Sequence, residues 1–538
     1  MLSNPGSRHP WWQEAVFYQI YPRSFQDTNG DGWGDLPGLI GRLDYLRDLG
    51  VDALWLTPIF PSPDRDGGYD VSDYRQIDPR YGTLQDLQEL LAAAHQRGLK
   101  IILDLVVNHT SNRHPWFQSS RRGGAKKDWY IWARKPPNNW TSFFGGSAWS
   151  YDSRRQAYYL HSFLPEQPDL NWRNPQVQQA VLDIMEFWFR LGVDGFRLDV
   201  FNLYFKDAAL RSNPRRWSWQ APFYPHAGQE HVYDRNQPEL MPMLTRMRAL
   251  TDRYSGVLVG ETAEEKGCYW ARHYYGTRPG EGLHLTFAFD FLNAPWRAEM
   301  FYELIKLREE SFPAWAWPTY VWSNHDVRRF ISRFPWLSRH AALARARVAA
   351  ALLLTLRGTP FIYYGEELGL PEAYVPYSRL KDPPGRRFWP FYLGRDGCRT
   401  PMQWSAAHQA GFTTGRPWLP VQANYRVLNV ERARRVRHSL LNFYRSLLHL
   451  RKKHAALRHG RLVNLTLLGK HGLSYARETG TERLEIWLNF HRRKVALPPA
   501  VQRRGKCLLS TAAVPSARFL NPYEASIYLI PSAGKELI

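Results

Sequence analysis

Eight short runs of β-branched and aromatic residues recur along the chain with amphipathic segments between them. This alternation constrains the fold more than any other feature of the 538 residues. The runs are VFYQIYP (16–22), ALWLTP (53–58), IILDLVVNH (101–109), GFRLDV (195–200), GVLVGET (256–262), LTFAFDF (285–291), TYVWSNHD (319–326) and TPFIYYGEE (359–367). Between them, segments such as VQQAVLDIMEFWFRLG (177–192) place apolar residues at helical spacing. Eight strand-then-helix units predict an α/β fold of the (β/α)8 TIM barrel type, carried by residues 1–109 and 176–457. The long gap at 110–175, rich in Trp, Gly, Asn, Ser and Arg, reads as an inserted, irregular subdomain after the third strand. After a helical stretch at 437–454 the pattern changes to alternating runs such as LEIWLNF (484–490) and ASIYLI (525–530). These predict a C-terminal all-β sandwich domain over 458–538.

A chain that is 44% hydrophobic and only 22% charged has the apolar content for a large core, which excludes a disordered or fibrous protein. No window of about 18 apolar residues exists, and the N-terminus lacks the residue order of a signal peptide. A soluble, cytoplasmic protein with no membrane partner is expected. Cys268, Cys398 and Cys507 are too dispersed for a disulfide framework or a Cys-x-x-Cys pair and are read as free thiols. The formal charge is +22, and residues 431–510 hold 19 Lys and Arg against 4 Asp and Glu. No nucleic-acid motif accompanies that charge, so it is read as a solvated face and no nucleic-acid partner is expected. The 23 Trp and 29 Tyr suit stacking on flat ligands such as sugar rings or bases.

Chemistry in such a barrel sits at the C-terminal ends of the strands. Asp104, Asp199, Glu261 and Asp326 all fall there, on different runs, and can converge above the barrel axis. Facing carboxylates are what glycosidic bond cleavage requires, one at the anomeric carbon and one to protonate the leaving oxygen. Arg197, two residues before Asp199, shares its side of the strand and would keep that carboxylate ionised and aimed.

The runs DLVVNH (104–109), GFRLDV (195–200), GETAE (260–264) and SNHD (323–326) resemble the four signature regions of the α-amylase superfamily, glycoside hydrolase family 13. QPDLN (167–171) and GTPFIYYGEE (358–367) are similar to two further regions, and QPDLN is similar to the mark of the oligo-1,6-glucosidase branch. The resemblance implies Asp199 as nucleophile, Glu261 as general acid and base, and Asp326 as the residue holding the distorted ring, in a retaining mechanism. Glu261, which must stay protonated until the leaving oxygen takes its proton, is expected in a drier setting than Asp199. The resemblance also implies His109 and His325 as donors to sugar hydroxyls, and Asp66 and Tyr69 on the non-reducing glucose with Arg399 opposite. Phe163 would be the aromatic wall, and an Asp66 to Arg399 pair would close the pocket's far end to mid-chain substrates. Asn108 is assigned to ordering the loop towards the insertion. Gly67, where Asn is usual, predicts a looser loop.

In DTNGDGWGDL, Asp27, Asn29, Asp31, Trp33 (by its carbonyl) and Asp35 alternate as in an EF-hand loop, but Gly38 stands where that loop needs Glu. The loop resembles the metal loop after the first strand in this branch, which implies structural Ca²⁺ first and Mg²⁺ second, with no organic cofactor. Val200, after the nucleophile, accompanies α-1,6 preference in the resemblance. GFRLDVFNLYFKD (195–207) and RFWPFYLGRDGCRTPMQW (387–404) are closer to bacterial α-glucosidases and glucosyl-transferring enzymes that commonly carry Thr there. The reading is an exo-acting α-glucosidase on small α-glucosides, leaning to α-1,6 with α-1,4 activity. The alternatives are α-glucosyl transfer or disaccharide isomerisation on the same site, and a non-catalytic sugar-binding barrel.

Overall fold

The computed structural model describes residues 9–262, 267–334, 338–497 and 505–530. Ala263 and Glu264 of the GETAE run and the last residues of the C-terminal domain lie outside these. All eight expected runs form strands, Phe17–Ile20, Ala53–Leu56, Lys100–Leu105, Gly195–Leu198, Val257–Gly260, Leu285–Thr286, Thr319–Val321 and Thr359–Tyr363, joined by parallel pairing into one eight-stranded sheet. The strands are shorter than the runs, and in the third, fourth, fifth and seventh the run continues past the ladder to His109, Asp199, Glu261 and Asp326; the sixth keeps only Leu285–Thr286. Between the sixth and seventh strands, the Thr319 hydroxyl donates to the Thr286 carbonyl at 2.8 Å across the seam.

Side chains alternate faces along each strand. Phe17, Ala53, Trp55, Ile102, Val257 and Val259 pack inside the barrel, while Tyr18, Leu54, Ile101, Leu103 and Leu258 belong to the layer under the helices. The same period carries Gln19, Asp104 and Arg197 onto the inner face, and the register sets Asp104 beside Arg197. The helices have explicit starts: Thr83 and Asp86 form a reciprocal capping box on Leu84–Gln96, and Asn174 with Pro175 opens Pro175–Arg190.

The insertion, expected to be irregular, has a three-stranded antiparallel sheet (Trp132–Ala133, Trp149–Asp152, Ala157–Leu160) and its own core of Trp140, Ala148, Trp149 and Leu160. A segment between the fourth and fifth strands, not singled out from sequence, braces it: Asn138 Nδ2 donates to the Leu210 carbonyl at 3.0 Å and Asn139 Nδ2 to the Asn213 carbonyl at 2.9 Å. At the C-terminus a five-stranded antiparallel sheet accompanies a two-stranded one. Two arginines of the basic region are buried joints instead of solvated charges. Arg477 donates to the carbonyls of Thr355 and Gly460, and Arg451 to those of Leu354 and Gly358. No disulfide joins the three cysteines. Among the described residues no helix is long and apolar enough to cross a membrane.

Thr319→Val keeps the side-chain shape and removes the hydroxyl across the barrel seam. It should lower the free energy of unfolding by about 1 kcal/mol in a urea titration; an unchanged midpoint would show that the seam does not depend on this bond.

Candidate active site

Arg197 is fully buried at the barrel axis and holds three carboxylates. Its Nη1 lies 2.6 Å from Asp104 Oδ1 and 2.8 Å from Asp199 Oδ1, and its Nη2 contacts Glu261 Oε2. Asp199 follows directly on the fourth strand and Glu261 on the fifth, so the guanidinium of one strand reaches both neighbours. Burial pushes the Asp199 carboxyl up to about 7, opposed by Arg197 and assisted by the nearby Asp104 and Asp326 charges. The expectation of a drier setting for Glu261 is corrected. It contacts Arg197 and is 9% exposed against 6% for Asp199, because the guanidinium of the neighbouring strand reaches it as well.

Asp326 completes the triad from the loop after the seventh strand. Burial acts to raise its carboxyl, but His325, Arg395 and Arg399 hold it below the usual carboxylate range. Arg399 Nη2 lies 2.9 Å and Arg395 Nη1 3.1 Å from its Oδ1. The expected pairing of Asp66 with Arg399 is corrected: Asp66 Oδ1 pairs with Arg395 Nη2 at 2.7 Å. Arg399, beyond the intervening turn Asp396–Cys398, is committed to Asp326 and to the His325 carbonyl at 2.7 Å. Gln167 Nε2 reaches the other Asp66 oxygen at 3.2 Å.

His325 is buried, which pushes it down to about 3 and leaves it neutral. Gln19 Nε2 lies 2.7 Å from its Nδ1 and can only donate, so Nδ1 accepts and Nε2 carries the hydrogen. That Nε2 faces the Tyr69 hydroxyl at 2.6 Å and Asp326 Oδ2 at 3.1 Å, and Tyr69 in turn donates to Asp104 Oδ2 at 2.9 Å. His109 has both ring nitrogens in protein contacts: Nε2 at 3.0 Å from the Tyr69 carbonyl and Nδ1 at 3.1 Å from Asn108 Nδ2. Its burial lowers its basicity. Asn108 turns to the insertion as expected, with its backbone carbonyl accepting from Leu170 N at 2.9 Å. Phe163 stands 5.2 Å from His109 and stacks on Phe143 at 5.1 Å, with Phe144 edge-on, so the wall is three rings deep.

The Gly67 loop is held firmly, contrary to expectation. Asp70 accepts from Arg65 N, Asp66 N and Ser62 Oγ. Gly67 itself, at φ +61°, leaves a Cβ only 3.1 Å from the Tyr21 hydroxyl and 3.3 Å from Arg399. Val200 is left-handed at φ 34°, an uncommon and strained position for a β-branched residue. Gln19, Gln167, Phe143, Phe144 and Arg395 were not assigned from sequence. The signal for Gln19 is a polar residue inside an otherwise apolar strand; Gln167 and Arg395 sit within quoted motifs.

In the loop from Asp27 to Asp35, Asp27 accepts from the backbone N–H groups of Asn29, Gly30 and Gly32 and from the Thr413 hydroxyl. Asp35 caps Leu36–Ile40 through Gly38 N at 2.6 Å and accepts from Thr28. Asn29 and Asp31 are exposed. Among the described residues no three His, Cys, Asp or Glu side chains gather as a metal cluster. The donor set of three carboxylates, one amide and the Trp33 carbonyl is all oxygen, which suits a hard cation.

A parallel barrel with facing carboxylates on adjacent strand ends and a third clamped by two arginines defines a glycosidase-type enzyme. The alpha amylase catalytic-domain profile matches residues 19–460. A probable alpha-glucosidase of Rhizobium meliloti (strain 1021) is 47% identical over 89% of each chain. The oligo-1,6-glucosidase of Parageobacillus thermoglucosidasius is 36% identical over 97% of this chain and 99% of its own. The crystal structure of the alpha-glucosyl transfer enzyme XgtA superposes with a TM-score of 0.89 at 42% identity, covering 97% of this chain and 100% of that one. The chain belongs to glycoside hydrolase family 13, in its oligo-1,6-glucosidase and α-glucosidase branch.

Asp199→Asn should abolish turnover while leaving the far-ultraviolet spectrum and melting point of a folded protein; a rate near wild type would remove Asp199 from the chemistry. If Asp199 is the nucleophile it must be ionised to attack, and with its carboxyl at about 7 kcat/KM should fall as pH drops through about 7. An acid limb near the ordinary carboxylate value of about 4 would assign that limb to another group.

Proposed function

We propose that the protein is a retaining, exo-acting α-glucosidase that releases glucose from the non-reducing ends of short α-glucosides. The observation that carries this reading is the ion pair of Asp66 with Arg395. That ion pair, the bond from Gln167 to Asp66 and the Phe163 ring beside His109 support a wall that would admit a chain end and not a passing chain. In this mechanism Asp199 attacks the anomeric carbon while Glu261 gives its proton to the departing glycosidic oxygen, forming a β-glucosyl ester. Glu261 then takes a proton from water, whose oxygen attacks the same carbon and returns Asp199 as carboxylate. Two carboxylates on adjacent nitrogens of one guanidinium support the short spacing of roughly 5 Å that retaining enzymes use. Asp326, held ionised by its arginines, is placed to accept from ring hydroxyls.

Val200 leads us to an α-1,6 preference with α-1,4 as secondary activity. A methyl in place of a hydroxyl beside the leaving group shifts a preference by about 1 kcal/mol. Transfer to a sugar hydroxyl in place of water is the second reading, favoured by the likeness to XgtA. The cytoplasm is the compartment we propose, supported by three cysteines without a disulfide. For the loop holding Asp27, Asn29, Asp31, Trp33 and Asp35 we propose structural Ca²⁺, with Mg²⁺ second. Such an ion would neutralise charge there and take no part in the chemistry.

Glucose release from matched isomaltose and maltose, with the product anomer followed by NMR, tests the main reading. α-Glucose mainly from isomaltose is expected, and Val200→Thr should move the ratio towards maltose. Release of β-glucose, or no release from either sugar, would overturn the reading. Chelation should lower the melting point by several degrees without changing the isomaltose to maltose ratio; an unmoved melting point would leave the loop without a metal.

A further inference from the structure

Phe143, the middle layer of the aromatic wall, is held from two sides. On one side its backbone N–H donates to the Ser162 carbonyl at 2.9 Å, and the neighbouring Ser142 hydroxyl donates to the Phe163 carbonyl at 2.7 Å. Its ring lies nearly parallel to that of Phe163, 14° apart, and Phe163 in turn meets His109. The next residue, Phe144, lies under the Arg395 guanidinium at 5.4 Å, and Arg395 holds Asp66 and Asp326.

The other side of Phe143 is taken by the segment between the fourth and fifth strands. The Tyr224 hydroxyl donates to the Phe143 carbonyl at 3.0 Å. The buried ring of His226, on the turn Pro225–Gly228, packs against the Phe143 ring with centroids 4.2 Å apart, and the Arg235 guanidinium lies 5.3 Å from the centre of that ring. His226 is itself fixed. It stacks on His231 at 3.8 Å, and His231 reaches Asp234 at 2.6 Å and the His226 carbonyl at 2.9 Å. A carbonyl only accepts, so the 3.3 Å contact of Nδ1 with the Thr141 carbonyl puts the ring hydrogen on Nδ1 and turns Nε2 to Arg235, 3.5 Å away. Burial, together with the charges of His231 and Arg235, pushes the ring down to about 3, so it is neutral near pH 7.

A ring packed on both faces keeps its tilt because any movement gives up contacts on one of them. We infer that Tyr224 and His226 are positioning residues, which hold Phe143 against Phe163 and thereby set the affinity of the pocket for the glucosyl ring. This role rests on the α-glucosidase reading and adds to it a determinant on a segment that carries none of the catalytic acids. A wall that touches the sugar in ground and transition states alike contributes uniform binding, so loosening it raises KM and leaves kcat.

The test compares the full-length protein with Tyr224→Phe, which keeps the ring and removes the bond to the Phe143 carbonyl, and with His226→Asn, which keeps an N–H for Thr141 and removes the ring behind Phe143. On whichever of isomaltose and maltose the unsubstituted protein cleaves, each variant should raise KM about fivefold with kcat within about twofold, and should weaken inhibition by 1-deoxynojirimycin by the same factor as KM. In a Phe143→Leu background His226→Asn should add less than about twofold, because the ring it acts through is gone. Unchanged KM and inhibition in both variants overturn the proposal. So does a fall in kcat alone, which a partly unfolded fraction would produce, or the full effect of His226→Asn on top of Phe143→Leu. An unsubstituted protein that cleaves neither sugar and does not bind the inhibitor overturns the α-glucosidase reading and this role with it, whereas cleavage with unresponsive variants overturns this role alone.

Discussion

A single buried guanidinium organises the catalytic end of this barrel. Arg197 sits on the inner face of the fourth strand, and its contacts with Asp104, Asp199 and Glu261 draw three separate strands onto one point. Without it, three carboxylates would share a low-dielectric space, where mutual repulsion and desolvation would drive protons onto them or force them apart. Breaking a buried ionic cluster by removing one partner costs about 3–5 kcal/mol, so this arrangement persists only because the register of adjacent strands holds every member. The guanidinium does not cancel the effect of burial. Asp199 still stands at about 7, poised between its acid and anion forms near neutral pH.

Around that centre a second set of groups fixes orientation. Gln19 sets the tautomer of His325, His325 faces Tyr69 and Asp326, and Tyr69 closes back onto Asp104. Gln19, His325, Tyr69 and Asp104 are buried, so the bonds among them act in a medium where a lost partner is expensive and the geometry is stiff, while the Asp326 side chain is partly exposed at the edge of the set. The rim is handled differently: Arg395 bridges Asp66 and Asp326, and Arg399 adds a second contact to Asp326, which neutralises both acids.

The barrel was legible in the sequence because its signal is periodic. All eight runs became strands, and the alternation that buries Ile102 also aims Asp104 inward. The triad could be read because acids at strand ends are positioned by the strands themselves. Contacts made between loops were less visible. Arg395 and Arg399 lie four residues apart in one motif and both reach Asp326, and only the turn between them decides which of the two also reaches Asp66. The setting of Glu261 was misjudged for a related reason: its neighbour is a guanidinium from another strand, and no local pattern in GETAE announces it. The insertion was read as irregular because its sheet is held by paired tryptophans and tyrosines with Gly and Asn between them, which lack a simple alternation.

In the proposed mechanism a carboxylate oxygen of Asp199, held beside Arg197, attacks the anomeric carbon and takes up the glucosyl group. Incubation with 5-fluoro-α-glucosyl fluoride, which forms the covalent intermediate faster than it breaks down, followed by peptide mass mapping, addresses this directly. One fluoroglucosyl adduct per chain on the peptide containing Asp199 is the predicted result. An adduct on another carboxylate, or undiminished activity with no adduct, would contradict it.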